Sequence, residues 1–275
     1  MGFTMNTSII SMRPEIGKKK QNIQRMTKYI NQNNADLYVF GEMTLTGYHC
    51  KDDLHQLAES LDGPSIIQMK KVAEKTDSYI VFGLPLKDEK RKGVLYNGSV
   101  LVHPDGKVDA YHKWFLPTFG PFEEKIFYNE GEHLPVFSTS FGRIGLMICY
   151  DLFFPEIPRA YAFQGADIII CISAAPSVNR KYFETLLPAR AIENTTFIIY
   201  ANIVGAQENL VFWGGSQAYD PIGNLIVKAP YFKESVISCN IDTNLIAPAR
   251  INRPVIRDIR PQIYNDLYDY SRYKK

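Results

Sequence analysis

The chain has 275 residues, 45% hydrophobic and 22% charged, proportions that suit one soluble globular domain with a large core. A net charge of +2 offers nucleic acid or an anionic membrane no electrostatic hold. No apolar run approaches the roughly 20 residues that would span a bilayer. Residues 1–6 lack the positive-then-apolar pattern of a secretory signal, and Asn6 stands where the myristoylation pattern opened by Met1-Gly2 needs Ser or Thr. The four cysteines, Cys50, Cys149, Cys171 and Cys239, are far apart and form no CxxC pair. A reducing cytoplasm is therefore expected, without a disulfide scaffold or zinc cluster.

In chain order, a strand over residues 7–12 leads to an amphipathic helix with Ile23, Met26 and Ile30 at helical spacing. A strand over 35–40 follows, then a helix opened by Gly63-Pro64, where proline suits the first turn. The next strand covers 79–82, and a hairpin over 98–108 turns at Pro104-Asp105-Gly106. The same order then recurs: strand 144–148, a helix from about Pro155, strand 166–170, a helix ending near Glu193, and strand 197–200. A second hairpin, 215–227, turns at Asp220-Pro221-Ile222-Gly223. Ala166-Asp167 echoes Ala35-Asp36, and Gly214-Gly215-Ser216 echoes Asn97-Gly98-Ser99.

Two fused β-α-β-α-β-hairpin halves predict an α/β fold with an internal pseudo-two-fold repeat. The expected form is an αββα sandwich of two mixed sheets with the helices outside. A single doubly wound sheet with the same element order is the alternative. The expected domain covers residues 1–251. The rest, 252–275, rich in Arg, Asp and Tyr, reads as an arm.

Three reactive side chains end or closely follow apolar runs: Glu42 after Tyr38-Val39-Phe40-Gly41, Lys113 after Tyr111-His112, and Cys149 after Gly145-Leu146-Met147-Ile148. Parallel-sheet proteins display catalytic groups at such strand ends. A carboxylate, an ammonium and a thiol can together deprotonate a nucleophile, attack a carbonyl or nitrile carbon and stabilise an oxyanion. Taken singly, each has a bland reading: a solvated glutamate, an exposed loop lysine, a buried structural thiol. Cys171 and Cys239, inside apolar or alternating runs, fit that bland reading better than Cys149, which precedes a sharp strand-to-helix turn. A thiol with a pKa of about 8.5 is mostly protonated at neutral pH and needs a base. His49, His55, His103, His112 and His133 lie in polar or turn contexts and form no Cys–His arrangement; His112 and His133 are the hardest to dismiss. No metal-ligand spacing and no phosphate-binding glycine loop is present, so no metal or cofactor is expected.

The order Glu42, Lys113, Cys149 resembles the nitrilase superfamily of carbon–nitrogen hydrolases. The resemblance rests on Gly41-Glu42 before Leu45-Thr46-Gly47-Tyr48, on Tyr111-His112-Lys113, and on Cys149-Tyr150-Asp151 before Phe154-Pro155-Glu156. Ala189-Arg190-Ala191-Ile192-Glu193-Asn194, Ala201-Asn202 and Asp220-Pro221-Ile222-Gly223 add to it, and the likeness spans about residues 6–245. It implies an αββα fold that pairs into a dimer. It also implies Glu42 as general base, Cys149 as nucleophile, and Lys113 with the Tyr150 backbone N–H at the oxyanion. A second family glutamate should lie in Phe122-Glu123-Glu124-Lys125; spacing back from Gly131 favours Glu124 over Glu123. Where the family often has Pro, this chain has Gly41, a change expected to affect stiffness only. Members that hydrolyse N-carbamoyl amino acids can carry an Arg pair after the Cys-x-Asp motif, and here those positions are Leu152 and Phe153.

The expected activity is an amidase releasing ammonia from a small uncharged amide through a Cys149 thioester. Alternatives are a nitrilase, a non-catalytic scaffold of the same fold, and a glutaminase serving a separate synthetase. The expected partners are the small-molecule substrate and a second copy of the chain, in a homodimer or larger homo-oligomer. That dimer would form through the helices around 155–165 and 181–193, with Tyr264, Tyr268, Tyr270 and Tyr273 of the arm lying across the partner.

Overall fold

The computed structural model describes residues 2–272; Tyr273 lies outside them. The first half runs β1 (Thr4–Ser11), α1 (Lys19–Asn31), β2 (Leu37–Phe40), α2 (Leu54–Leu57), α3 (Pro64–Thr76), β3 (Tyr79–Lys87), β4 (Leu95–Val102) and β5 (Val108–His112). After α4 (Glu124–Phe127) and β6 (Val136–Thr139), the second half runs β7 (Gly142–Ile148), α5 (Glu156–Phe163), β8 (Ile168–Ser173), α6 (Arg180–Asn194) and β9 (Phe197–Asn202). The chain continues through β10 (Val204–Gln207), β11 (Leu210–Trp213), β12 (Gln217–Tyr219), β13 (Leu225–Lys228), β14 (Ser235–Asp242), α7 (Ile246–Asn252), α8 (Val255–Asp258) and α9 (Gln262–Arg272).

There are two six-stranded mixed sheets, ordered β14-β1-β2-β3-β4-β5 and β13-β12-β9-β8-β7-β6, so the αββα expectation holds and the single doubly wound sheet does not. Strand alternation explains the layering. In β2, Leu37 and Val39 join the core between the sheets, whereas Tyr38 and Phe40 pack beneath α1 and α3. The helices answer with Ile23, Met26 and Ile30 of α1 and Ile66, Met69 and Ala73 of α3. On the opposite outer face, Ile157 and Tyr161 of α5 and Phe183, Leu187 and Ala191 of α6 cover the second sheet.

The Ala-Asp echo marks a real duplication. Asp36 accepts from the Asn6 N–H, donates its own N–H to the Asn6 carbonyl, and accepts at its carbonyl from Tyr79. Asp167 repeats all three bonds with Arg143 and Phe197. The hairpin echo holds in register. Counting on from the matched Tyr79 and Phe197, Phe82 pairs with Val100 as Tyr200 does with Gln217, so Asn97-Gly98-Ser99 corresponds to Gly214-Gly215-Ser216.

Four strands escaped the sequence pattern. The edges β6 and β14 pair antiparallel with β7 and β1 in equivalent places, although β14 comes from the far end of the chain. The β10–β11 hairpin forms its own two-stranded sheet. In the C-terminal segment, α8 and α9 bury no residue. The Tyr264 ring meets Phe163 of the same chain edge-on, 5.7 Å between centroids, while Ile263, Leu267, Tyr268 and Tyr270 stay exposed.

Candidate active site

The two halves meet where β2 and β8 end. Gly41 and Glu42 follow β2, and the Glu42 N–H donates to the carbonyl of Ser173, the last residue of β8. This approach is so close that a Cβ at position 41 would come within 2.7 Å of Ile203 Cγ2 and 2.8 Å of the Ile203 nitrogen. Space, more than stiffness, explains glycine here. The Glu42 side chain is completely buried. Its Oε2 accepts from the Ala174 N–H at 2.6 Å, and its Oε1 accepts from Lys113 Nζ at 2.9 Å and Asn97 Nδ2 at 2.7 Å.

Lys113 follows β5 and is likewise fully buried. Its ammonium donates to Glu42 and, at 2.7 Å, to Oε1 of Glu124. Glu124 opens α4 with 4% of its surface accessible, whereas Glu123 is exposed; the structure thus brings Glu124, not Glu123, to the lysine. The Tyr48 hydroxyl also donates to Glu124 Oε1 at 2.7 Å, and Asn97 Nδ2 reaches Glu124 Oε2 at 3.3 Å.

Cys149 sits where β7 breaks into a short helical turn, Cys149–Phe153, with φ of 48°. A side chain in this left-handed region is strained, and such strain clusters at functional turns. The first N–H groups of the turn, Tyr150 among them, have no acceptor within it. Cys149 and Glu124 line a cavity of about 240 Å³ whose walls are Tyr48, Phe119, Phe122, Tyr150, Phe153 and Phe183, with Asn179 near Pro176. Among the described residues no lysine or arginine joins that lining. Leu152 is wholly buried and Phe153 is part of the wall, so both positions of a possible arginine pair are apolar. His112 stacks on Tyr96 at 4.0 Å and, with His133, lines a separate groove; neither reaches the cavity at Cys149.

A carbon–nitrogen hydrolase family model matches residues 7–251. A probable nitrilase of Schizosaccharomyces pombe is 32% identical over 271 residues, covering 95% of this chain and 98% of its own. An (R)-stereoselective amidase of a Pseudomonas species is 33% identical over 82% of this chain and 81% of its own. A carbon–nitrogen hydrolase from Helicobacter pylori G27 superposes with a TM-score of 0.89 at 25% identity, over 97% of this chain and 99% of its own.

The chain belongs to the carbon–nitrogen hydrolase family, within the nitrilase superfamily. It is a hydrolase of carbon–nitrogen bonds other than peptide bonds.

Charge in this carbon–nitrogen hydrolase is arranged against burial. Desolvation alone would lower the Lys113 pKa, but the carboxylates of Glu124 and Glu42 override it and hold the ammonium above its ordinary range. Burial pushes the Glu124 carboxyl up to about 7 against the pull of Lys113. Burial, reinforced by Glu42, also raises the Cys149 thiol well above its usual value, so the resting sulfur holds its proton. Sequence reasoning missed three partners of this hydrolase: Asn97, Tyr48 and the Ala174 N–H. Asn97 was visible only as part of a repeat and Tyr48 only as part of a motif. A backbone donor leaves no sequence signal at all.

Proposed function

We propose that this hydrolase is an amidase acting on a small uncharged amide, with Cys149 as nucleophile, Glu42 as general base and Lys113 as oxyanion partner. The observation that carries the reading is the buried Glu42–Lys113–Glu124 cluster beside a thiol in a cavity without a cationic wall. A carboxylate-bearing substrate would lose its hydration there without gaining a cation, which costs several kcal/mol.

Glu42 takes the Cys149 proton as sulfur bonds to the amide carbon. Among the described residues two N–H bonds of Lys113 go to carboxylates, which leaves the third for the developing oxyanion. The Tyr150 N–H is the second donor, and each such donor typically contributes about 3 kcal/mol in a site that excludes water. The carbon–nitrogen bond breaks and ammonia leaves with the proton from Glu42. Glu42 then deprotonates a water that attacks the thioester, and the sulfur recovers its proton as the acid departs. Glu124, tied to Tyr48 and Lys113, orients the ammonium.

An ammonia-release screen over aliphatic amides, aromatic amides, nitriles and carbamoyl compounds tests the reading. Turnover of uncharged amides, lost in Cys149→Ala, is expected; preference for a carboxylate-bearing amide would reject it. The nitrilase-named relative favours nitriles as the second substrate class, and the nitrile arm of the screen decides between them. We also propose a homodimer through α5 and α6, with residues 252–275 reaching the partner. The exposed Phe163, Tyr182, Leu267 and Tyr268 support it. An active monomer at micromolar concentration in light scattering, or unchanged association after deletion of 252–275, would reject these two parts respectively.

A further inference from the structure

Asp151 is completely buried two residues after Cys149, yet it does not line the cavity and makes no ion pair among the described residues. Its carboxylate spans the two segments that carry the site. Oδ2 accepts from the Tyr111 hydroxyl at 2.7 Å and from the Ile148 N–H at 3.0 Å, and Oδ1 accepts from the Phe115 N–H at 2.9 Å. Tyr111 and Phe115 lie two residues to either side of Lys113, and Ile148 immediately precedes Cys149. Among the described residues, the bonds to Asp151 are the hydrogen bonds that join 111–115 to 148–154. Among the described residues the Lys113 ammonium binds only Glu42 and Glu124, neither of which belongs to the Cys149 turn. The segments also touch through apolar packing, including the Phe115–Phe154 ring stack, 3.4 Å between centroids, and packed faces can slide where hydrogen bonds fix register.

Resting on the roles proposed above for Lys113 and Cys149, we infer that Asp151 is a positioning residue that fixes the Lys113 ammonium relative to the Cys149 sulfur. It holds both flanks of the lysine loop against the nucleophile turn, so that Nζ meets the oxygen of the tetrahedral adduct. The position demands an acceptor-only group. Three donors converge on it, and an amide would turn its own N–H₂ toward at least one of them. Errors of about 1 Å in such placements lower rates by about 10²-fold.

Asp151→Asn and Tyr111→Phe test this through three readouts on the full chain. Turnover of the best amide substrate reports the whole reaction. Affinity for the matching aldehyde reports oxyanion placement, since the Cys149 thiol adds to the aldehyde carbon and the carbonyl oxygen becomes the hemithioacetal oxygen. Alkylation of Cys149 by iodoacetamide breaks a carbon–iodine bond and builds no oxyanion. Asp151→Asn is expected to lower kcat and weaken aldehyde binding by about 10²-fold, with KM and alkylation changed by less than about threefold. Tyr111→Phe, which leaves two of the three bonds, is expected to show the same pattern at about tenfold and serves if the Asn variant fails to fold. Unchanged aldehyde affinity in a folded variant would overturn the inference, as would an equal loss of alkylation, the signature of general collapse. Lys113→Met run in parallel separates the two levels: normal aldehyde affinity there rejects the oxyanion role of Lys113, whereas its loss there with retention in Asp151→Asn rejects only the role of Asp151.

Discussion

The two halves share a backbone and differ in what stands at the same places. From the matched Asp36 and Asp167 bonds, Met12 is the counterpart of Cys149 and Glu42 of Ser173. Asn97, which accepts from the Lys113 N–H, matches Gly214, which bridges Tyr231, so Tyr231 is the counterpart of Lys113. The first half thus carries the carboxylate and ammonium, the second carries the thiol, and no counterpart position holds a carboxylate, ammonium or thiol. Backbone geometry follows the chemistry: Cys149 has a positive φ and Met12 does not. A duplicated scaffold supplies two sets of strand ends, and placing the proposed site across their junction lets one half donate to the other. The Ala174 N–H on the Glu42 carboxylate is the clearest instance.

The strongest way to break this asymmetry is to remove the proposed base. Glu42→Gln keeps shape and polarity, and kcat/KM is expected to fall by about 10² to 10⁴ or more, because both thioester formation and hydrolysis depend on it. Glu124→Gln should also lower turnover yet keep rapid reaction of Cys149 with a small electrophile, and single-turnover kinetics on both variants checks the assignment. If Glu42→Gln kept normal turnover while Glu124→Gln abolished thiol reactivity, the two roles would have to be exchanged.

Removing the ammonium of the first half, Lys113→Ala, should cost about 10²–10³ in kcat. It should also destabilise the fold, since two buried carboxylates lose their shared cation; thermal unfolding with steady-state kinetics measures both. Gly41→Ala presses a methyl into Ile203 and should lower stability by about 1–3 kcal/mol, read from a denaturant titration.

The raised Glu124 pKa sharpens the comparison through pH. The folded state holds this proton more tightly than the unfolded chain, so the contribution is fully present below 4.5 and is lost as pH rises through about 7. The Tm of the parent should therefore fall across that window relative to Glu124→Gln, whose profile should be flatter; parallel Tm profiles would reject a buried, proton-retaining Glu124. The smallest effect is expected from Met12→Cys, which puts a thiol at the inert counterpart of Cys149. With Ser173 at the place equivalent to Glu42, it should react with iodoacetamide no faster than the buried Cys171, and mass spectrometry of labelled peptides reads this directly.

The sequence by itself determined the order of elements and the duplication, and it singled out Glu42, Lys113 and Cys149 as reactive groups at strand ends. Each rests on short-range information: Ile23, Met26 and Ile30 recur at the helical period, and Ile144 to Ile148 form an apolar run ended by a reactive group. Glu124 was legible only through the family resemblance, since its neighbour Glu123 has the same chemistry and differs in burial alone. Tertiary structure decided the rest. It brought Asn97 and Tyr48 to the carboxylates, put the Ala174 N–H on Glu42, made Gly41 a matter of space, and closed the first sheet with β14 from 230 residues further along the chain. These contacts join positions far apart in sequence, and neither hydrophobic period nor local turn chemistry carries information about which distant backbone will arrive beside a given side chain.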